Sequence, residues 1–472
     1  MKKNSIIHIC IIAILGLSSC EKYTDIQPKG KNLLGTVDEL EYLLNYNFGA
    51  SNAFYLQNLS VLDNDTYIPL GNVANTLSGP KDVNYALITY DQSVNRAQLT
   101  KNDPSYQEAY SIISNRLNIV LQQVDKATGS ETKKSLLKAE ALTMRAYLHY
   151  LLVNVYAKAY TAATASTNGG IAYMDQVDYE RNPTKSTVAE VYTKMLSDVD
   201  AAIAMNSLPD VSASNTRGNK AFAYAVKAQI MLSMGNYTEA LAAADKALTY
   251  RSTLEDHRPF VATKLAVRAA YAATDNLLFA ATKQNNPTFL VASVEILNNY
   301  FERGNIIREY TNAYSYTLGG VNYSETYGRD YGIPGALMFY DNDYQHNNAG
   351  MTVSDLMFIR AESLIRLGRI SEGMDVINYI RQRRINPTVY AALSATTEPA
   401  AMAILKKLSR IEFLYTWKNF VNIKRWNTET AYRESITRTI SGITYTLSPE
   451  SPLWVFPFPQ SATDYNPNLT QN

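Results

Sequence analysis

Apolar positions along this chain fall mostly into the 3.6-residue rhythm of amphipathic helices. Over residues 106–159 that rhythm predicts two helices. Tyr106, Ala109, Tyr110, Ile113, Leu117, Val120, Leu121 and Val124 share one face, and Gly129 breaks the run. Leu136, Leu137, Ala141, Met144, Leu148, Leu151, Leu152 and Val155 mark the second helix. Thr36 to Glu39 has capping-box spacing before Leu40, Leu43 and Leu44. Thr187 to Glu190 repeats it before Val191, Met195, Leu196 and Val199. Residues 219–250 predict two more helices that turn at Met234-Gly235-Asn236. Residues 50–105 hold no sustained period and are expected to be loops.

Two segments are copies of one another. Residues 227–248 read "KAQIMLSMGNYTEALAAADKAL" and residues 360–381 read "RAESLIRLGRISEGMDVINYIR". Aligned, Ala228 falls on Ala361, Gly235 on Gly368 and Glu239 on Glu372. Two helices joined by a tight glycine turn, with small residues at their crossing, form a hairpin in the tetratricopeptide style. The copies are not in tandem, so no regular solenoid is expected. The predicted class is mostly α: tetratricopeptide-like helical hairpins forming a scaffold, with long loop-rich insertions. The longest insertion, 251–350, holds nine tyrosines between positions 300 and 344, out of 35 in the chain. Insertions on rigid scaffolds commonly carry function.

The N-terminus fixes a location rather than a chemistry. Lys2 and Lys3 precede an apolar run from Ile6 to Leu17, which reads as a secretory signal over residues 1–19. As a helix that run rises about 18 Å, against a hydrocarbon core of roughly 30 Å, so it is not a transmembrane span. Leu17-Ser18-Ser19-Cys20 has the form of a bacterial lipobox, in preference to an ordinary signal with an incidental cysteine. Cys20 is then lipidated and begins the mature chain, followed by a polar tether over 20–35. Cys10 leaves with the signal, so no internal disulfide is expected. Loss of Lys2 and Lys3 leaves 42 basic against 43 acidic residues. That balance gives no electrostatic footprint for nucleic acid and no polybasic membrane patch.

Catalytic signatures are missing from the sequence. G-x-S-x-G, H-E-x-x-H and P-loop motifs do not occur. His149 sits in a predicted long helix and is expected to be structural. "DNDYQHNN" at 341–348 departs from a calcium loop at Gln345 and His346, so a plain polar loop is expected there. The same holds for "LDNDT" at 62–66. No enzyme activity, cofactor or metal site is predicted.

Further segments resemble the SusD/RagB family of outer-membrane lipoproteins. "CEKYTDIQPKG" is similar to their mature N-termini, and "KAEALTMRAYLHYLLVNVYAKAY" at 138–160 to a family helix. "NGGIAYMDQVDYERNPTKSTVAEVY" at 168–192, "RAESLIRLGRISEGMDVINYIRQRR" at 360–384 and "LWVFPFPQSATDYNPNLTQN" at 453–472 follow in family order. The resemblance divides the chain into an N-terminal helical region at 36–250, the insertion at 251–350 and a C-terminal region at 351–472. One departure lies in "LSRIEFLYTWKNFVNIKRW" at 408–426. Arg410, Glu412, Arg425 and Trp426 keep the family pattern, while Thr416, Asn419 and Asn422 replace its Glu, Arg and Asp. A charged scaffold network replaced as a unit is therefore expected.

The resemblance implies a SusD-like α/α fold and a non-catalytic function. Such a protein captures oligosaccharides outside the cell and delivers them to a SusC-like TonB-dependent outer-membrane transporter. The implied location is the outer membrane, facing the exterior. Alternatives are a peptide-capturing RagB-like member or a structural, adhesive helical scaffold. For a glycan, tyrosine rings offer faces to sugar C–H surfaces, while amides and charged groups bind hydroxyls. The candidate ligand contacts are Tyr316, Tyr327, Tyr331, Asn322, Arg329 and Asp330 in the insertion. Tyr67, Asn64 and Asp65 join them from the N-terminal loops, with Tyr85 and Tyr90 as second choices.

Overall fold

The computed structural model describes residues 34–46, 57–67, 73–177, 182–263, 275–280, 291–311, 317–318, 321–322, 337–338, 347 and 349–472. The expected signal and nearly all of the tether lie outside them. The described chain is mostly helical, as the periodicity requires. Its centre is α1, Glu131–Tyr156, which is buried on almost every side from Leu137 onward. Such a helix belongs in the middle of a helical body, where even its buried charges find partners, Arg145 on Asp198 and Glu140 on Arg217. Val188–Ala204 (α2) packs along it.

Both predicted capping boxes are present. Thr36 Oγ1 accepts from the Glu39 amide at 3.2 Å, and Glu39 Oε2 accepts from the Thr36 amide at 2.9 Å. The Thr187 box at the head of α2 has the same two bonds, at 3.2 and 2.7 Å. Each box satisfies amides that the first helical turn leaves without a partner.

The two sequence copies fold as equivalent hairpins. Lys220–Ser233 (α3) and Tyr237–Tyr250 (α4) form one, and Val353–Arg366 (α5) and Ile370–Arg381 (α6) form the other. The linking glycines Gly235 and Gly368 have φ of +74° and +77°, a region that side chains with a Cβ occupy at a cost. At the second crossing Gly373 lies so close to α5 that a Cβ would sit 2.6 Å from Ile365 Cγ1. Here the small residue serves close approach. Helix α4 packs against α5, so the two hairpins share one core.

Two expectations need correction. Residues 50–105 contain short helices at Gln57–Leu62, Val73–Ser78, Val83–Thr89 and Arg96–Leu99, not loops alone. At four to seven residues each, they complete too few turns to leave a readable period. Asp82 and Asn95 nevertheless cap two of them, accepting from Tyr85 N at 2.8 Å and Gln98 N at 3.2 Å. The predicted first helix of 106–159 starts at Pro104 and passes through a π turn at Ile113–Leu117 before ending at Gln123.

The C-terminal third adds Glu398–Glu412 (α7), Lys418–Trp426 (α8) and a β-hairpin. Among the described residues, no helix is long and apolar enough to cross a membrane.

Candidate ligand-binding face

Helix Gln57–Leu62 ends in the turn Asp63-Asn64-Asp65, where Asn64 takes a left-handed φ of +63°. The chain then enters a short strand, β1 (Thr66–Tyr67). Its neighbour is β2 (Val291–Ala292), with Tyr67 opposite Val291, and β2 in turn pairs with β3 (Leu337–Met338). All pairings are antiparallel. This small sheet therefore ties an N-terminal loop to Val291–Ala292, before the tyrosine-rich stretch, and to Leu337–Met338 within it. Within that segment, Thr317–Leu318 and Val321–Asn322 pair as a hairpin. Ser293 locks the junction: its amide donates to Asp65 O at 3.0 Å, and its hydroxyl to Asn64 O at 2.6 Å.

Beneath the sheet lies a buried charged knot. Arg410, on α7, donates through Nε and Nη2 to Asp65 Oδ1 at 2.8 and 2.6 Å, and through Nη2 to Asp63 O at 2.8 Å. Asn419, on α8, donates to Asp65 Oδ2 at 2.6 Å and to Arg410 O at 3.0 Å. A second arginine comes from the C-terminal hairpin, β4 (Ile436–Ile440) and β5 (Ile443–Leu447). Arg438 donates to Asn64 Oδ1 at 2.8 Å and to the carbonyls of Val61, Leu87 and Ile88. Tyr300 and Tyr90 lay their rings 4.8 and 5.1 Å from the Arg410 and Arg438 guanidinium carbons. Burial, then the neighbouring charge of Asp65, pushes the Asp63 carboxyl well above the usual range. Burial raises Asp65 too, against the opposing pull of Arg410 and Asn419.

These contacts correct two of the ligand candidates. Asn64 and Asp65 are 2% and 0% exposed; Asn64 accepts from Arg438 and donates to Thr437 O, and Asp65 accepts from Arg410 and Asn419. A carboxylate beyond the reach of water needs such partners. Both residues anchor the face; neither can present a group to a ligand. Tyr90 is likewise buried, and Tyr300, one of the nine clustered tyrosines, is committed to Arg410.

The 408–426 residues that keep the family pattern are paired in the interior, and at the replaced positions Asn419 joins the knot through its amide. Arg425 Nη1 and Nη2 donate to Glu362 at 2.7 and 2.6 Å, and Trp426 Nε1 donates to the same carboxylate at 3.0 Å. Glu412 holds Arg384 at 2.6–3.2 Å. Thr416 turns inward to Phe413 O at 2.7 Å.

Of the remaining candidates, Tyr67 lies in β1 and Asn322 in the hairpin. Tyr316, Tyr327, Tyr331, Arg329 and Asp330 fall outside the described residues. Arg438 escaped sequence reasoning, although the alternation of ITRTI places it on the buried side between Ile436 and Ile440.

His149 is structural, and so is Asn347; the rest of the polar run 341–348 lies outside the described residues. His149 stacks on Tyr173 with ring centres 3.8 Å apart, and its Nε2 accepts from Met174 N at 3.0 Å. Burial pushes it down to about 3, so it stays neutral. Within 341–348, Asn347 is buried; its Oδ1 accepts from Ala280 N at 3.1 Å and Gly350 N at 2.9 Å. Among the described residues, no cluster of three or more His, Cys, Asp or Glu could hold a metal.

Residues 48–232 match a SusD-like family model described as starch-binding, associating with outer membrane, and residues 281–472 match the SusD family model. Among curated protein sequences there is no significant match. A SusD superfamily protein from Bacteroides thetaiotaomicron shares the fold with a TM-score of 0.73 at 19% identity, over 93% of this chain and 99% of that one. A SusD superfamily protein from Bacteroides fragilis gives 0.68 at 15%, over 92% and 99%. A SusD-like carbohydrate binding protein from Bacteroides vulgatus gives 0.66 at 17%, over 92% and 97%. Two family matches in chain order, carried on a helical-hairpin scaffold of the same fold, show that this chain belongs to the SusD/RagB family.

Proposed function

We propose that the protein captures oligosaccharides at the outer surface of the outer membrane and passes them to a SusC-like TonB-dependent transporter. The observation that carries this reading is the three-stranded sheet, which joins Tyr67 to two points of the tyrosine-rich insertion, one on each side of Tyr316–Tyr331 in sequence, over a rigid anchor. A binding face needs fixed geometry, because ordering loose aromatic loops would subtract from affinity. Tyr316, Tyr327 and Tyr331 supply stacking surfaces for sugar rings, with Asn322, Arg329 and Asp330 as hydroxyl partners. Family membership and likeness to a SusD-like carbohydrate binding protein support the ligand class. Capture requires no bond breaking, so the pure protein leaves its ligand intact. Lipid at Cys20 holds the chain at the membrane, since each buried methylene contributes about 0.8 kcal/mol.

One observation favours a peptide ligand as the second reading. Trp417, Trp426 and Trp454 are all buried, at 3%, 1% and 4% exposure, so no tryptophan is left as a sugar platform. Glycan-array screening of residues 21–472, followed by calorimetry with the hits and with mixed peptides, separates the two. Peptide binding without glycan binding would replace the first reading with the second.

A further inference from the structure

A separate cavity of about 530 Å³ opens where helix Gln57–Leu62 begins, at the end away from the Asp63-Asp65 turn. That volume is in the range of small-molecule sites. Its floor is apolar and buried, formed by Leu59, Val155, Tyr156 and Phe456. Leu99, 46% exposed, stands at the rim.

Part of the wall is polar and unspent. Asn58, Gln98, Lys101 and Asn102 line the cavity, and none of their side chains bonds another described residue. The one lining carboxylate, Asp103, is fully engaged. Its Oδ1 accepts from the Ser105 and Tyr106 amides at 2.8 and 3.4 Å, and its Oδ2 from the Tyr156 hydroxyl at 2.8 Å. Below the floor, the Arg96 guanidinium lies 5.3 Å from the Phe456 ring centre and donates to three backbone carbonyls. Lys101 is thus the lining group with a charge still to satisfy, flanked by three free amides and an apolar base.

We propose that this cavity is a second binding site, selective for a carboxylate-bearing sugar such as a uronic acid unit. The ammonium of Lys101 takes the carboxylate, the amides of Asn58, Gln98 and Asn102 take hydroxyls, and Leu99 and Phe456 meet the apolar ring face. An exposed carboxylate–lysine pair contributes roughly 0.2–1 kcal/mol, so preference over a neutral sugar is about 1.4- to fivefold. The site does not depend on the tyrosine-rich face and holds or fails without it.

Methyl NMR of the purified mature protein tests this, with Leu59, Leu99 and Val155 as reporters and glucuronate and glucose as probes. These methyls shift with glucuronate at millimolar concentration, about 1.4- to fivefold more tightly than with glucose, and added salt narrows the gap. Lys101→Gln, at an exposed position, brings glucuronate down to the level of glucose while the other methyl signals stay in place. No shift at the three reporters, equal affinity for the two sugars, or a preference that survives Lys101→Gln would each overturn the proposal.

Discussion

Arg410 and Asp65 stand 345 positions apart in sequence, yet Arg410 Nη2 lies 2.6 Å from Asp65 Oδ1 with both side chains sealed from solvent. This pair pins the loop that leads into β1 to the C-terminal helices, and the pinned loop carries the candidate face. Removing one member strands the other charge in the interior. Asp65→Asn and Arg410→Met are each expected to cost about 3–5 kcal/mol in urea denaturation, and the double variant less than the sum.

The hairpin glycines divide by mechanism. A Cβ at Gly235 or Gly368 meets nothing within 4 Å, so Gly→Ala there costs only the left-handed backbone, roughly 1–2 kcal/mol. Gly373 is crowded by Ile365 and by the Ala361 carbonyl, so Gly373→Ala strains the crossing of α5 and α6 and costs about 1–3 kcal/mol. A crystal structure of Gly373→Ala with α6 displaced, and of Gly235→Ala with α4 in place, would separate the two origins.

Lys424 predicts a slope of stability with pH. Its ammonium is buried against Asn154 O and Ala157 O at 2.7 and 2.6 Å, and burial pushes it down to about 7. Above that pH the unfolded chain still holds a proton that the native state has released, up to the ordinary lysine value of about 10.4. Stability therefore rises with pH across this window from the Lys424 contribution. Denaturation midpoints of the wild type and Lys424→Met, compared at pH near 7 and near 9, should show the slope flattened in the variant.

Anchoring and binding should come apart. Cys20→Ala is expected to release the protein from membranes without changing its ligand affinity, read by fractionation and calorimetry on the same preparation. Loss of binding on release would place the ligand site at the membrane rather than in the insertion.

Much of the scaffold could be read from local pattern. The Thr36 and Thr187 capping boxes and the glycine turns at Gly235 and Gly368 use signals within one or two helical turns, and each forms where it was expected. The knot could not be read that way. Asp65 in "LDNDT" has the look of a loop acid open to solvent, and nothing nearby tells that arginines from α7 and β4 will enclose its turn. Tyrosine enrichment was a mixed signal for the same reason. Tyr300 serves Arg410, while Leu337–Met338 of the same segment pairs into the sheet β1-β2-β3.

The most direct measurement of the central claim is a calorimetric titration of residues 21–472 with the oligosaccharides that score on a glycan array. Wild type and Tyr316→Ala/Tyr327→Ala/Tyr331→Ala are titrated in parallel, with thermal melting to match their folding. The account predicts saturable binding by wild type, weakened at least tenfold in the triple variant at an unchanged melting temperature. Absence of binding to any oligosaccharide, or equal affinity in the two proteins, would contradict it.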